Sequence, residues 1–322
     1  MNEFINSKSR LKNMPVSFFS LVMGLVGFTI VWQKIEQFMQ LNWGVSSVFL
    51  YFSIIVFGFL IIAYTMKSIL FIDSVKKEYN NPIKLNFFPT VSISLLLLAI
   101  AIFPISGNVS FWLWLVGAVL HLFFTYLIIS EWVSDRKYGI EEINPAWFIP
   151  VVGNILVPVV GVEHLPVDVS WLYFSIGFGF WVVLFTIIFY RVVFHKPIVL
   201  KLIPTLFIMV APPSVGFISY VKLVGHVDNF ARVLYFFALF LFIFFVSKIF
   251  NVLKNKFYLS WWAYSFPAAS MTIATILYWH NTGNNFYQYF VYILTVVLSF
   301  IIGILFLSTV VAIQKKEICV EE

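Results

Sequence analysis

The sequence is poor in charge and almost without cysteine. Asp, Glu, Lys and Arg make up 11% of its 322 residues, where about 25% is usual for soluble domains. The single cysteine, Cys319, excludes an intramolecular disulfide and a cysteine-based metal cluster. The five histidines are scattered without metal-ligand spacing, and zinc motifs, phosphate-binding glycine loops and nucleophile–base constellations are absent. We therefore expect no metal, no cofactor and no enzymatic activity.

Apolar residues take the place of charge. They make up 61% of the chain, Phe alone contributes 39 residues, and the mean hydropathy is +0.97. A soluble fold of this size still exposes roughly a quarter of the surface of its unfolded chain, so it could not hide so many apolar side chains. This composition excludes a soluble enzyme, a nucleic-acid-binding protein and a disordered chain, and it predicts a polytopic protein whose partner is the lipid bilayer.

Runs without Asp, Glu, Lys or Arg predict ten transmembrane helices, since about 20 apolar residues cross the hydrocarbon core. The runs are residues 13–33, 37–66, 85–130 (two spans), 143–162, 169–190, 202–221, 233–247 and 257–314 (two spans). Turn-forming residues at 104–108 and 281–285 divide the two double runs. The prediction is an all-α membrane protein with one transmembrane domain, 1–322, and short tails at 1–13 and 315–322. We expect the first span to be a mature helix and not a signal peptide.

The positions of the basic residues predict the orientation. With the N-terminus inside, 17 of the 20 Lys and Arg residues fall on inside segments, and three, Lys34, Lys222 and Arg232, fall outside. This asymmetry is the positive-inside pattern, so it accounts for the net charge of +6 without a nucleic-acid partner. Both termini are therefore predicted to be cytoplasmic.

Prolines and small polar residues distinguish the odd spans from the even ones. The even spans have no interior proline, whereas Pro158, Pro212, Pro213 and Pro267 lie well inside odd spans, where they should kink the helix. Ser, Thr, Gly and Asn side chains also concentrate in the odd spans. The pattern predicts five helical hairpins whose inner, kinked odd helices surround a central pore. Small residues also serve close helix packing, and the sequence leaves both interpretations open.

The odd spans contain no Asp, Glu, Lys or Arg. A neutral path with a basic cytoplasmic rim favours passive movement of small anions that lose water easily. A proton-coupled carrier of organic anions is the alternative, and its titratable candidates are His121, Glu131 and His280. A receptor or scaffold without transport is a third possibility.

Four segments resemble one family. They read PVSFFS at 15–20, NPAWFIPVVGN at 144–154, APPSV at 211–215 and WWAYSFP at 261–267. Together they are similar to the tellurite-resistance/dicarboxylate transporter family, which includes bacterial TehA proteins, fungal malate and sulfite carriers and plant slow anion channels. The resemblance implies a homotrimer in the bacterial cytoplasmic membrane, with a five-helix pore in each multi-pass protomer.

The resemblance also assigns site residues. In the family a phenylalanine on the ninth helix plugs the pore, and Phe266 matches it. Phe19 matches an aromatic residue near the pore, and Ser20 stands where bacterial relatives often have glycine. The further pore-lining or kink candidates are Gly24, Asn154, Pro158, Pro212, Pro213 and Pro267. The expected function is a gated channel for chloride and nitrate; a C4-dicarboxylate transporter and a tellurite-resistance protein are the alternatives.

Overall fold

The computed structural model describes residues 10–134, 138–252 and 256–320, and all regular structure within them is helical. The α-helices are α1 (Phe19–Phe38), α2 (Val45–Leu70), α3 (Ile72–Tyr79), α4 (Thr90–Ile102), α5 (Gly107–Ser134), α6 (Phe148–Val152), α7 (Pro158–Gly161), α8 (Val167–Phe194), α9 (Ala211–Val224), α10 (Asn229–Val252), α11 (Ser265–Thr282) and α12 (Asn285–Gln314). The 3-10 helices are Val16–Phe18, Lys84–Phe87, Pro145–Trp147, Gly153–Leu156, Leu200–Val210 and Leu259–Tyr264. Residues 1–9 and 321–322 of the predicted tails, and Lys8, Arg136, Lys137 and Lys254 of the topology pattern, lie outside the described residues.

Eight of the helical segments in the described ranges are long and apolar enough to cross a membrane. The chain is therefore an all-α integral membrane protein. The fifth and ninth predicted spans are not among the eight. The fifth, Pro145–Gly161, is shorter and changes to 3-10 geometry at Gly153–Leu156, and the ninth carries several hydroxyl side chains. The count of ten spans stays a prediction.

Burial alternates along the chain. The segments Val16–Phe38, Lys84–Ile102 and Leu200–Val224 are 72–78% buried over their most apolar stretch, whereas the five other long segments are 22–33% buried. An exposed apolar helix is suited to contact with lipid tails, and a buried one needs protein on all sides. We call the buried segments inner, together with 145–161 and 259–282, and the exposed helices outer.

The inner segments form a closed ring. Helix α1 packs against α4, α4 against the 153–161 segment, that segment against α9, α9 against α11, and α11 again against α1. Each outer helix packs on the inner segment that precedes it in the chain: α2 on α1, α5 on α4, α8 on the segment from α6 to α7, α10 on α9 and α12 on α11. The ring therefore surrounds an axis.

The interior prolines mark changes of helix type. Pro158, Pro212, Pro213 and Pro267 lie in the first turn of α7, α9 and α11, each of which follows a 3-10 segment. A proline there removes no intrahelical hydrogen bond, because first-turn N–H groups have no acceptor within the helix. The sequence analysis expected kinks within continuous helices; the structure instead begins a new α-helix at each of these positions.

Both described chain ends lie at the same end of the bundle, which we call the tail end. Burial raises the pKa of the Cys319 thiol, and the nearby charges of Arg10 and Lys67 oppose that shift. The three residues are therefore close together. The opposite end carries the connections 39–44, 103–106, 162–166, 225–228 and 283–284, and we call it the loop end.

A buried ion pair holds the tail end together. Lys67 Nζ lies 2.7 Å from Glu78 Oε2, and the two side chains are 3% and 6% exposed. Lys67 also donates to the Met14 carbonyl at 2.7 Å, and Glu78 accepts from the Val16 N–H at 2.6 Å and from the Tyr64 hydroxyl at 3.0 Å. The sequence analysis placed Lys67 in an inside loop. It is buried because Glu78 neutralises it, and the pair ties the start of the first inner segment to α2 and α3.

Candidate functional site

A narrow cavity of about 30 Å³ lies inside the ring of inner segments. It has room for about two water molecules, at roughly 10–15 Å³ each. Its lining comes from all five inner segments: Ile30, Leu97, Ile100, Leu156, Val159, Val215, Ile218, Phe266, Ser270 and Ile273. A cavity built in this way lies on the axis of the ring.

The cavity wall is aliphatic except for one ring and one hydroxyl. Ser270 supplies that hydroxyl, which already bonds to Ser214 Oγ at 2.7 Å and to the Pro267 carbonyl at 2.9 Å. Most of the other Ser and Thr hydroxyls of the inner segments are buried and bond to carbonyls three or four residues earlier; examples are Ser94, Ser214, Thr272 and Thr275. Of the two interpretations that the sequence left open, this geometry favours helix packing for most small polar residues.

Phe266 has the largest side chain in the lining. It is the second residue of α11, and Ser270 and Ile273 follow it at four and seven residues, on the same helix face. Its ring is half-buried, although neighbouring residues of α11 are fully buried. The ring therefore contributes to the cavity wall without being fully buried.

Two glycines of α1 bring this helix close to α11. An added Cβ at Gly24 would lie 2.1 Å from Ser265 Oγ and 2.6 Å from Ser265 Cβ. At Gly27 it would lie 2.8 Å from Ala269 Cβ and 3.6 Å from Phe266 Cδ2. Both glycines are therefore close contacts between the two helices, Gly24 against Ser265 and Gly27 against Ala269.

The variant Gly24→Ala is expected to lower the unfolding free energy by roughly 1–3 kcal/mol, the usual effect of overpacking. The added methyl group would force α1 away from α11, since Ser265 Cβ cannot rotate aside. Thermal unfolding in detergent measures the effect. Gly303→Ala is the matched control, because an added Cβ at Gly303 meets nothing within 4 Å. Equal stability of the two variants would contradict the close contact.

The remaining candidates from the sequence lie beside the cavity and do not line it. Phe19 is fully buried and packs edge-on against Phe57 and Tyr64, with ring centroids 6.1 Å apart. Ser20 Oγ donates to the Ser17 carbonyl at 2.6 Å. The Phe19 ring thus faces the outer helix α2, because its position on α1 turns it away from the axis.

Asn154 occupies the 3-10 turn between α6 and α7. Its Nδ2 donates to Thr125 Oγ1 and to the Val151 carbonyl, both at 2.8 Å. The amide therefore links this broken inner segment to α5 and does not point into the cavity. Pro158, Pro212, Pro213 and Pro267 shape the segments that carry the lining residues.

The titratable candidates also lie away from the cavity lining. His121 is fully buried, its Nδ1 lies 2.9 Å from Ser92 Oγ, and its ring packs against Gly153. His280 lies at the loop end, with its ring centroid 4.5 Å from that of Phe38. Glu131 is half-buried near the end of α5.

The sequence analysis did not identify the aliphatic lining residues. Ile30, Leu97 and Val215 are examples, and each belongs to a helix that is apolar on nearly every face. A helical repeat of apolar residues marks one face only where the other faces are polar. Spacing from Phe266 was the one usable signal, and it indicates Ser270 and Ile273.

The chain is similar to known proteins over most of its length. The model of a family described as voltage-dependent anion channels matches residues 13–310. The S-type anion channel SLAH2 of Arabidopsis thaliana is 29% identical over 276 residues, which are 83% of this chain and 53% of that protein. The guard cell S-type anion channel SLAC1 of the same plant is 27% identical over 83% of this chain and 50% of that protein.

A bacterial relative matches over most of both chains. The tellurite resistance protein TehA homolog of Haemophilus influenzae is 24% identical over 314 residues, which are 94% of this chain and 92% of that protein. The chain spans about half the length of the plant relatives. Because the family model covers nearly the whole sequence, this protein belongs to the voltage-dependent anion channel family.

Proposed function

We propose that this protein is a passive channel for small monovalent anions and that Phe266 closes its path at rest. The observation that carries the proposal is the Phe266 ring inside an axial cavity to which all five inner segments contribute. An apolar ring in a narrow apolar path stops ions by steric blockage and by excluding water. The plant relatives are named as anion channels, which supports the same reading.

The wall of the cavity supports a preference for anions with weakly held water. No charged side chain is among the lining residues, and the one hydroxyl among them is already hydrogen-bonded. An ion in the path would lose hydration that the wall does not replace. Nitrate should then pass more readily than chloride, since it is the less strongly hydrated of the two.

The proposal extends to assembly and orientation. Ten spans would form five hairpins around the path, with the tail end in the cytoplasm, because the basic residues concentrate there. Homotrimers, with one path in each protomer, follow from the family resemblance. The match to a bacterial protein over nearly its whole length supports a bacterial cytoplasmic membrane as the location.

A proton-coupled carrier is less well supported. Coupling requires a titratable group that faces the substrate path, and His121, Glu131 and His280 are not among the residues that line the cavity. His121 is sealed between Ser92 and Gly153. The geometry therefore supports a channel better than a carrier.

Flux through proteoliposomes tests the class of function. Proteoliposomes that contain wild type or Phe266→Ala are loaded in turn with chloride, nitrate or malate, and the flux is measured with and without a pH gradient. We expect a nitrate and chloride flux in the variant that follows the electrical potential and does not change when the pH gradient is removed. Uptake of malate that requires the pH gradient and is lost in His121→Ala would replace the channel by the carrier.

A further inference from the structure

Two lysines lie directly beyond the cavity at the loop end. Lys34 follows Ile30 by four residues on α1, and Lys222 follows Ile218 by four residues on α9. Both isoleucines line the cavity. Residues four apart share a helix face and are separated by about 6 Å along the axis, at about 1.5 Å per residue. The helices therefore place both lysines at the loop-end mouth of the axial path.

The two positive charges act on one another. The charge of Lys222 repels that of Lys34, which is itself half-buried. Lys34 Nζ donates to the neutral Gln37 Oε1 at 3.3 Å and lies 5.8 Å from the centre of the Phe38 ring. Among the described residues, the ion pairs join Lys67, Lys196 and Lys256 to carboxylates, and neither mouth lysine belongs to one. Within the described structure, no ion pair therefore relieves their repulsion.

Two nearby carboxylates at the loop end are engaged elsewhere. Glu36 Oε1 accepts from the Val45 N–H at 2.8 Å and so holds the start of α2. Asp228 accepts from the Ala231 N–H at 2.8 Å and from the Tyr220 hydroxyl at 2.7 Å, and these hydrogen bonds lower the pKa of Asp228. Neither is positioned to neutralise the two lysines.

Two further acidic residues lie at this end. Asp168 lies in the first turn of α8, an outer helix. Glu163 follows the lining residue Val159 by four residues and is exposed. It lies in the 162–166 connection, just beyond the end of α7, so we count it as a carboxylate near the mouth. Two cations against one anion leave the mouth positive.

We propose that Lys34 and Lys222 form a binding site for a small inorganic anion at the loop-end mouth of the axial path. A bound anion relieves the repulsion between the two ammonium groups, and their N–H donors replace part of its hydration before it meets the apolar cavity. The role of the site in conduction rests on the proposed channel function, whereas anion binding does not.

Chloride binding is measured as the excess NMR linewidth, which is the broadening of the chloride signal that the purified protein causes. The protein is held in nanodiscs of phosphatidylcholine, whose headgroups carry no net charge. Replacing both lysines, Lys34→Gln with Lys222→Gln, should reduce the excess linewidth at least about threefold, since it removes the local positive potential. Arg232→Gln is the matched control. It removes a cation at the same end from an outer helix and should leave the linewidth unchanged. Lys34→Arg with Lys222→Arg should retain binding.

A double glutamine variant that keeps its excess linewidth, or an Arg232→Gln variant that loses as much, would overturn the site.

Flux in the Phe266→Ala background separates the site from the channel. At about 10 mM salt, where the Debye length is about 30 Å, the glutamine pair should reduce anion entry from the loop end about threefold; at about 1 M, where it is about 3 Å, the difference should vanish. If Phe266→Ala conducts nothing while the linewidth result holds, the channel proposal fails and the anion site stands.

Discussion

Replacing Phe266 with Ala is expected to raise the chloride and nitrate conductance at least about tenfold, which corresponds to a barrier lower by about 1.4 kcal/mol. The ring is the largest side chain that lines a cavity of about 30 Å³. Removing it should both widen the path and admit water. The measurement is the current across planar bilayers that contain equal amounts of folded wild-type and variant protein.

A series of sizes at position 266 sharpens this expectation. Phe266→Leu should conduct less than Phe266→Val, and Phe266→Val less than Phe266→Ala, because each step removes part of the blocking side chain. Phe19→Ala is the matched control. It removes the same atoms from a fully buried ring that contacts Phe57 and Tyr64, and it should leave the conductance at the wild-type level. A folded Phe266→Ala protein with no more current than wild type would refute the gate.

The second large effect is expected at the buried ion pair. Lys67→Met leaves the Glu78 carboxylate buried without its cation and also removes the hydrogen bond to the Met14 carbonyl. Removing one partner of a buried pair typically lowers the unfolding free energy by roughly 3–5 kcal/mol. Thermal or denaturant unfolding in detergent should show a loss of this size.

The double variant Lys67→Met with Glu78→Leu should lose much less than the sum of the single variants, because it leaves no uncompensated charge. Lys196→Met is the exposed control: it breaks the pair with Glu141, whose side chains are 83% and 60% exposed, and should change stability by less than about 1 kcal/mol. If Lys67→Met costs no more than Lys196→Met, the pair does not stabilise the tail end.

Composition predicted the class of fold, and proline placement marked segments that the structure places in the inner ring. The absence of charge from long runs marks membrane helices directly, because bilayer crossing penalises charge. Pro212, Pro213 and Pro267 marked inner segments, because an α-helix begins at these prolines where a 3-10 segment ends. Phe266 followed from the family resemblance of the segment 261–267; its ring is among the residues that line the axial cavity, and its role as a gate stays a prediction.

Other features depend on contacts between distant residues and could not be predicted locally. Lys67 and Glu78 are eleven residues apart, with nothing in the sequence to show that α3 folds back beneath α2. The apolar wall of the cavity could not be predicted from the sequence either. Ser214 and Thr275 suggested a polar path, but the helix carbonyls four residues earlier accept their hydroxyls and leave Ile218 and its neighbours to face the axis.

The closed contact between α1 and α11 has a consequence for the order of the chain. The ring joins its first and last inner segments as it joins consecutive ones, and Cys319 lies close to Arg10 at the tail end. Termini that are close together at a surface tolerate circular permutation. The ring of inner segments therefore has a cyclic order, and a chain in which the stretches at residues 10 and 319 are joined and another tail-end connection is opened should trace the same ring.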